Sequence, residues 1–448
     1  MIIAGLIRPD YNGFLHIQVG NVKVNVKYGW FIILSLIVLS QISKMALADS
    51  LDIAVSQEIE VNIQRVAAKG ESLLLWLPSE SGLLDQEKKQ ADKLKLANIE
   101  TWFADMLGTY FLPALASSID SIKSSDTAEL IEKVRQKSKK QIVLIGSGRG
   151  AALVIRAARS WQIKYGQKEK LAGVILISPK LFVETPEPGQ EGKLLSVVYK
   201  TNLPVVIIQP ENSPWRWKMG NIIPALEKSG SDVYAWFINN TRDRFYYRPD
   251  ATKQEDAVAR KLDFYITSAV HLLKSYQFKT RSVGKLEITE TKQPVEGKKE
   301  RVLRAYTGDP RSPELILKDL QGRTKDLAAM KDKVVLVNYW ASWCPPCVHE
   351  MPSMQQLANK FSGQSFEILA VNMAEDKQTI QTFLKEKVQV KFPILLDSDG
   401  KALKRWKVFA FPTSYIIGKQ GNIRLALFGS IDWMKPDVIK KIKILIDE

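Results

Sequence analysis

The chain has 448 residues and a formal net charge of +16, with 64 Lys and Arg residues against 48 Asp and Glu residues. This length is enough for more than one domain with its own core. Only two cysteines are present, which excludes a scaffold of structural disulfides, and the basic balance favours acidic partner proteins or anionic membrane faces.

Residues 1–48 are typical of an export leader. Residues 30–42 form an apolar run, preceded by Lys23 and Lys27 and followed by a small-x-small pattern at residues 45–48. The run is shorter than the roughly 20 apolar residues that a spanning helix needs. We therefore expect a cleaved signal peptide, with an uncleaved anchor as the alternative, and a bacterial periplasm as the compartment. Nucleic acid is then not an expected partner.

Residues 49–278 alternate apolar runs with helix-like segments, a pattern that predicts a doubly wound α/β domain with a mostly parallel sheet. Buried strands are expected at residues 72–77, 141–145, 172–178, 204–209 and 233–238, and helices at residues 91–97, 128–137, 150–161 and 255–273.

One junction in this domain has a distinctive glycine pattern. Residues 141–145 form a strand, Gly146, Gly148 and Gly150 make a sharp turn, and a helix follows. The segment resembles the nucleophile elbow of α/β-hydrolases, G-x-S-x-G, with Gly148 at the position of the nucleophile. Ser147 falls one residue early. The resemblance therefore implies a hydrolase-like fold that is not catalytic.

Two other functions are less well supported for this loop. The loop also fits the loose dinucleotide pattern G-x-G-x-x-G/A, but no acidic residue ends the following strand. A hydrolase using Ser147, with Glu211 as the acid, would still need a base. The late histidine of the domain, His271, lies inside a predicted helix.

One loop inside this domain and one segment after it have distinctive compositions. Trp215 and Trp217, with cations beside them, could bind a partner or lipid headgroups, but we expect them to cap their own core. Residues 279–310 are rich in Lys, Arg, Glu and Thr, a composition that predicts a solvated linker.

The last segment, residues 311–448, carries both cysteines. A strand-like run at residues 334–339 leads into Trp343, and Cys344 and Cys347 follow at the expected start of a helix. Helix amides favour the thiolate of Cys344, which we expect to be an exposed nucleophile. Cys347, one turn further on, can then resolve a mixed disulfide.

Other roles for the cysteine pair are less favoured. A structural disulfide across two residues closes a very small loop and restrains the unfolded chain little. A zinc site needs four ligands, and His349 is the only other plausible soft donor nearby; a haem attachment site would have histidine in place of Val348. Redox chemistry therefore fits best, and Glu350, on the same helical face as Cys347, can handle the proton.

Further along, Phe411 and Pro412 precede an apolar strand at residues 414–417. Together with the segments at residues 317–322, 334–343 and 392–397, the cysteine motif resembles the TlpA/ResA/CcmG-like family of exported thiol–disulfide oxidoreductases with a thioredoxin-like fold. The combination is much more specific than a CxxC motif alone.

The resemblance implies several roles. Pro412 matches the cis-proline of the family, and Phe411 and Trp343 would contact an extended substrate. Glu350 matches an acidic residue near the active site, and Asn338 stands where cytoplasmic thioredoxins have a buried aspartate. The implied clients are proteins with disulfides, such as apocytochromes c or copper-site proteins, and the implied electron donor is a membrane reductase of the DsbD type.

The sequence therefore predicts an exported protein-disulfide reductase that needs no cofactor and no metal. The N-terminal domain would recruit or orient the client. One alternative is a copper-binding metallochaperone with Cys344, Cys347 and His349 as ligands, and another is a hydrolase acting through the N-terminal domain.

Overall fold

The computed structural model describes residues 49–166, 171–276 and 301–448, and the backbone of three short strands nearer the N-terminus. These strands, β1 (Ile7–Pro9), β2 (Phe14–Val19) and β3 (Val22–Lys27), form an antiparallel sheet. The predicted export segment at residues 30–48 lies outside the described residues. Among the helices that are described, none combines the length and the apolar character that crossing a membrane requires.

The first domain is built on an eight-stranded sheet in the order β11-β10-β9-β8-β6-β7-β5-β4. Only β5 runs against its neighbours, while the other strands are parallel to one another. All five predicted strands are confirmed, and β4, β5 and β7 were not predicted. The strands are β4 (Asp49–Ala54), β5 (Glu60–Val66), β6 (Ser72–Trp76), β7 (Ile99–Ala104), β8 (Gln141–Ser147), β9 (Gly173–Ile177), β10 (Val205–Asn212) and β11 (Val233–Arg242).

Helices cover both faces of this sheet, as the alternation of its side chains requires. Leu73 and Leu75 of β6 belong to one apolar core, and Leu74 and Trp76 to another on the opposite face. The predicted helix at residues 255–273 is two helices. The helices are α1 (Asp85–Leu96), α2 (Met106–Thr109), α3 (Ala116–Ser121), α4 (Ser124–Ser138), α5 (Gly150–Tyr165), α6 (Met219–Lys228), α7 (Lys253–Ala259) and α8 (Leu262–Lys274).

The second domain has a six-stranded sheet in the order β12-β19-β18-β15-β16-β17, and a separate hairpin of β13 and β14. β15, β16 and β17 are parallel, whereas β18 and β19 are antiparallel to their neighbours. The strands are β12 (Arg304–Ala305), β13 (Ile316–Lys318), β14 (Thr324–Asp326), β15 (Val334–Trp340), β16 (Phe366–Met373), β17 (Ile394–Asp397), β18 (Thr413–Ile417) and β19 (Ile423–Phe428).

The helices of this domain are α9 (Pro345–Lys360), α10 (Lys377–Glu386), α11 (Lys401–Arg405) and α12 (Pro436–Asp447). α9 runs through Pro352, where the sequence suggests a bend or a restart. β12 lies within the segment that the composition predicts as linker, and Leu303 beside it is fully buried in the core. The sheet therefore begins several residues before residue 311.

Candidate active site

The cysteine pair lies where β15 meets α9. Cys344 is the N-cap residue of α9, and its sulfur accepts a hydrogen bond from the backbone N–H of Cys347 at 3.3 Å. Pro345 and Pro346 occupy the first turn, where a missing N–H leaves no hydrogen bond unmade. The two sulfurs are joined in a disulfide, with 5.3 Å between the Cα atoms. The helix amides and dipole at this position favour a thiolate once the disulfide is reduced.

Cys344 is more buried than the sequence predicts. Cys344 is 6% exposed and Cys347 is 1% exposed, so the expectation of an exposed nucleophile at Cys344 is wrong for this oxidised form. The reason is packing: both belong to an apolar cluster that Trp343 and Phe411 flank, and these two rings contact each other with centroids 5.7 Å apart.

Glu350 is a buried carboxyl one turn after Cys347, with 1% of the residue exposed. Asn338 donates to its Oε1 at 2.9 Å, and the indole of Trp433 donates to its Oε2 at 3.2 Å. Burial raises the pKa of Glu350 to about 7, and the hydrogen bonds from Asn338, Trp433 and the backbone of Ile431 oppose this rise only in part. The group can therefore take up and release a proton near neutral pH.

The Phe411–Pro412 peptide bond is cis. It immediately precedes β18, in which Thr413 pairs with Tyr339 of β15. This register puts Pro412 beside the end of the strand that leads into the cysteine pair. Trp343 and Phe411 pack against the apolar cluster that contains the disulfide, and Pro412 follows Phe411 directly.

The segment just before Pro412 is held by the first domain. Phe409 is 6% exposed and belongs to the core of that domain. Its ring contacts Phe182 at 4.8 Å and Trp215 at 5.5 Å between centroids. The ammonium of Lys218 lies 4.2 Å from the ring centroid and donates to the carbonyl of Val408 at 3.1 Å. We call this contact the Phe409 anchor.

From the sequence we expected the loop of Trp215 and Trp217 to cap only its own core. In the structure it also contacts the second domain. Trp217 packs against the second domain, since a Cβ atom on Gly400 would lie 2.6 Å from its ring. No local pattern marks these residues as inter-domain contacts.

The glycine elbow is occupied by a carboxylate of the same chain. Gly148 has a φ of +54°, and a Cβ atom there would lie 2.5 Å from Oε2 of Glu80. This oxygen accepts the backbone N–H of Arg149 at 2.7 Å, and Oε1 accepts from Lys180 at 2.6 Å. Burial alone would raise the pKa of Glu80, but the charge and hydrogen bond of Lys180, together with backbone hydrogen bonds such as that from Arg149, outweigh burial and lower the pKa. The space for a nucleophile at Gly148 is thus filled.

The other candidate residues of this domain do not form a triad. Ser147 is 4% exposed, and its hydroxyl lies 3.5 Å from a carboxyl oxygen of Glu87, to which Tyr246 donates at 3.0 Å. Burial raises the pKa of Glu87 to about 7. Ser147 and Glu80 line a cavity of about 110 Å³, but Glu211 and His271 do not.

A larger cavity of about 590 Å³ lies between the two domains, beside the cysteine pair. The first domain contributes Asn212, Asn240, Arg242, Thr252 and Glu255, and the second contributes Ser342, Trp343, Pro345, Val348, His349, Phe383 and Lys387. We call this cavity the inter-domain cleft. In the part of the chain that the structure describes, no group of three or more His, Cys, Asp or Glu side chains could hold a metal ion.

Comparison with known proteins identifies the class of the second domain. The model of the AhpC/TSA family matches residues 309–426. The thiol–disulfide oxidoreductase ResA of Geobacillus thermodenitrificans is 36% identical over 120 residues, which are 27% of this chain and 68% of that protein. ResA of Bacillus subtilis is 34% identical over 120 residues, 27% of this chain and 66% of that protein.

The domain is that of a thioredoxin-fold thiol–disulfide oxidoreductase. Through it, the chain belongs to the family of the ResA proteins, and it is itself a thiol–disulfide oxidoreductase. Among solved structures, StoA of Bacillus subtilis is similar, with 26% identity, a TM-score of 0.26 and coverage of 30% of this chain and 98% of StoA.

Proposed function

We propose that this chain is an exported reductase of client-protein disulfides that acts through Cys344 and Cys347. The observation that carries the proposal is the cysteine pair at the start of α9, one turn before a buried carboxyl with a pKa of about 7. A helix start favours the attacking thiolate, and a group that titrates near neutral pH suits proton transfer during exchange.

The proposed reaction transfers two electrons to the client. The thiolate of reduced Cys344 attacks one sulfur of a client disulfide, which forms a mixed disulfide and releases the first client thiolate. Cys347 then attacks the sulfur of Cys344, which releases the second client thiolate and leaves the Cys344–Cys347 disulfide. Glu350 would accept the proton of Cys347. Trp343, Phe411 and Pro412 would contact the client segment.

The proposed setting is the bacterial periplasm, reached through the leader at residues 1–48 or from an anchor at residues 30–42. A dithiol on a membrane reductase of the DsbD type would restore the reduced pair. Apocytochromes c or copper-site proteins are the proposed clients, and the basic charge of the chain is compatible with contact to an anionic membrane surface.

We also propose that residues 49–278 form an α/β-hydrolase-like domain without hydrolase activity. Its support is the mostly parallel eight-stranded sheet with one reversed strand and the glycine elbow at the end of β8. The Glu80 carboxylate beside Gly148 argues against catalysis, because it takes the elbow amide that an oxyanion would use. Esterase substrates should not be turned over.

Two cysteine variants test the main proposal. Cys344→Ser should abolish reduction of insulin and of a disulfide peptide, whereas Cys347→Ser should accumulate a mixed disulfide that a reductant releases. Full turnover by Cys344→Ser would refute the mechanism. Alkylation of thiols in intact cells would report whether the pair is mostly reduced, as a reductase requires.

A further inference from the structure

The inter-domain cleft joins the functional ends of both domains. One wall lies at the start of α9 and is formed by Trp343, Pro345 and His349. The opposite wall includes Asn212 and Asn240, near the carboxyl ends of β10 and β11. Ligands of open α/β sheets bind outside this edge of the sheet. The cavity of about 590 Å³ is also of the size that ligand sites have.

We propose that the inter-domain cleft binds the client, as an extended segment that contains the disulfide and carries acidic side chains. The first domain would then be a specificity element of the redox site rather than a separate enzyme. This inference rests on the proposed reduction of client disulfides, and it names the part of the client that is recognised.

The walls of the cleft suit a peptide backbone. The side-chain amides of Asn212 and Asn240 supply hydrogen-bond donors and acceptors. These can pair with the carbonyl and N–H groups of an extended strand. Trp343, Val348 and Phe383 supply apolar surface on the side of the cysteines. Apolar walls with a few polar groups are typical of binding sites.

The charge of the cleft favours an acidic segment. Arg242 and Glu255 neutralise each other, with a nitrogen and an oxygen 2.6 Å apart. Lys387 is exposed, lines the cleft and makes no ion pair within the described residues, and His349 lies on the same side. An acidic side chain next to the client disulfide would meet the ammonium of Lys387, and the net charge of +16 adds to the attraction.

The first domain also limits the shape of the client. Cys344 is only 6% exposed, and the Phe409 anchor holds the first domain next to the loop that carries Pro412. A folded protein surface would meet this second wall before its disulfide reached Cys344. A flexible segment can enter the cleft instead.

The test compares matched variants of the full chain on three substrates. The first is a peptide with one disulfide flanked by aspartates, and the second is the same peptide with asparagines in place of the aspartates. The third is 2-hydroxyethyl disulfide, a small neutral molecule. Asn212→Trp narrows the cleft, and Asn239→Trp, on an exposed residue of β11 outside the cleft, is its control. Lys387→Glu reverses the cleft charge, and Lys385→Glu, exposed on α10, is its control.

We expect Asn212→Trp to raise the KM for both peptides roughly tenfold, while the rate with the small disulfide stays unchanged. Lys387→Glu should raise the KM for the aspartate peptide alone, by about two- to fivefold. The two controls should resemble the wild type.

Equal KM values for cleft variants and controls would overturn the inference while leaving disulfide reduction intact. Should Asn212→Trp lose activity on the small disulfide as well, Lys387→Glu decides the question alone. A wild-type chain that reduces none of the three substrates would instead contradict the proposed function.

Discussion

Glu350 shows how one buried side chain links stability to the proposed chemistry. Its pKa is raised from an ordinary value of 4.5 to about 7 by burial. The folded chain therefore holds this proton more tightly than the unfolded chain between these two pH values. The stability that the protonated group supports is complete below pH 4.5 and is lost as the pH rises through 7.

Replacement of Glu350 by Gln should remove this dependence. A pKa that differs by one between the folded and the unfolded chain corresponds to about 1.4 kcal/mol of stability. From pH 4 to pH 8 the wild type should lose about 3 kcal/mol of unfolding free energy through this group, and the variant should not. The difference between variant and wild type should therefore shift by about 3 kcal/mol in favour of the variant over this range. Urea unfolding at pH 4, 6 and 8 measures the change, with Glu386→Gln, an exposed residue at the end of α10, as the control. The pH profile of client reduction should also lose its limb near pH 7; an unaltered profile would remove Glu350 from the proton transfer.

Gly148 gives a second prediction at this scale. A Cβ atom at Gly148 would lie 2.5 Å from Oε2 of Glu80, whereas one at Gly82, where φ is +79°, would meet nothing within 4 Å. Both Gly→Ala changes carry the cost of a left-handed backbone, about 1 kcal/mol, but only Gly148→Ala should add a steric cost. We therefore expect Gly148→Ala to lower the free energy of unfolding more than Gly82→Ala, with disulfide reduction retained in both. Equal losses would mean that Glu80 moves aside freely.

At the scale of elements, the loop before β18 depends on both domains. Phe409 lies in an aromatic pocket of the first domain, and Pro412 lies beside the end of β15, so only two residues separate the anchor from the proline next to the redox site. Phe409→Ala should lower the free energy of unfolding by about 3 kcal/mol, as for a buried phenylalanine, and should raise the KM for a disulfide peptide because the loop loses its support. Thermal unfolding and the KM for a disulfide peptide measure the two effects.

The control for this variant is Phe428→Ala, since Phe428 is 42% exposed at the end of β19. It should change the unfolding temperature and the KM little. A Phe409→Ala chain with wild-type KM would show that the first domain does not position the loop.

The elements also show what the sequence can and cannot predict. Strands made of consecutive apolar residues, such as β6 and β8, are evident because both faces are buried. β7 was missed because Glu100 interrupts its apolar run. Glu100 is 2% exposed, and it is accommodated by Lys140 at 2.6 Å and by Arg65 at 2.8 Å, partners distant in sequence. β4 and β5 mix polar and apolar residues, which weakens the pattern.

At the scale of the whole molecule, the cysteine motif and its loop could be predicted because their residues are close in sequence or match a known family. The contact between the domains could not. Phe409, Phe182 and Trp215 come from segments far apart, and each alone is compatible with an ordinary core position. The burial of Cys344 and the second wall of the cleft follow from such tertiary packing, which no local pattern encodes.

The charge of the whole chain leads to the last prediction. A net charge of +16 should speed the encounter with acidic clients, and salt should weaken this effect because the screening length falls from about 10 Å at 0.1 M to about 3 Å at 1 M. We expect kcat/KM for the aspartate-flanked peptide to fall roughly tenfold between low salt and about 0.5 M NaCl, and that for the asparagine-flanked peptide to change little. Lys387→Glu should reduce the salt dependence more than Lys385→Glu, because only Lys387 lines the cleft. An identical salt dependence for the two variants would assign the attraction to the general basic surface and not to the cleft.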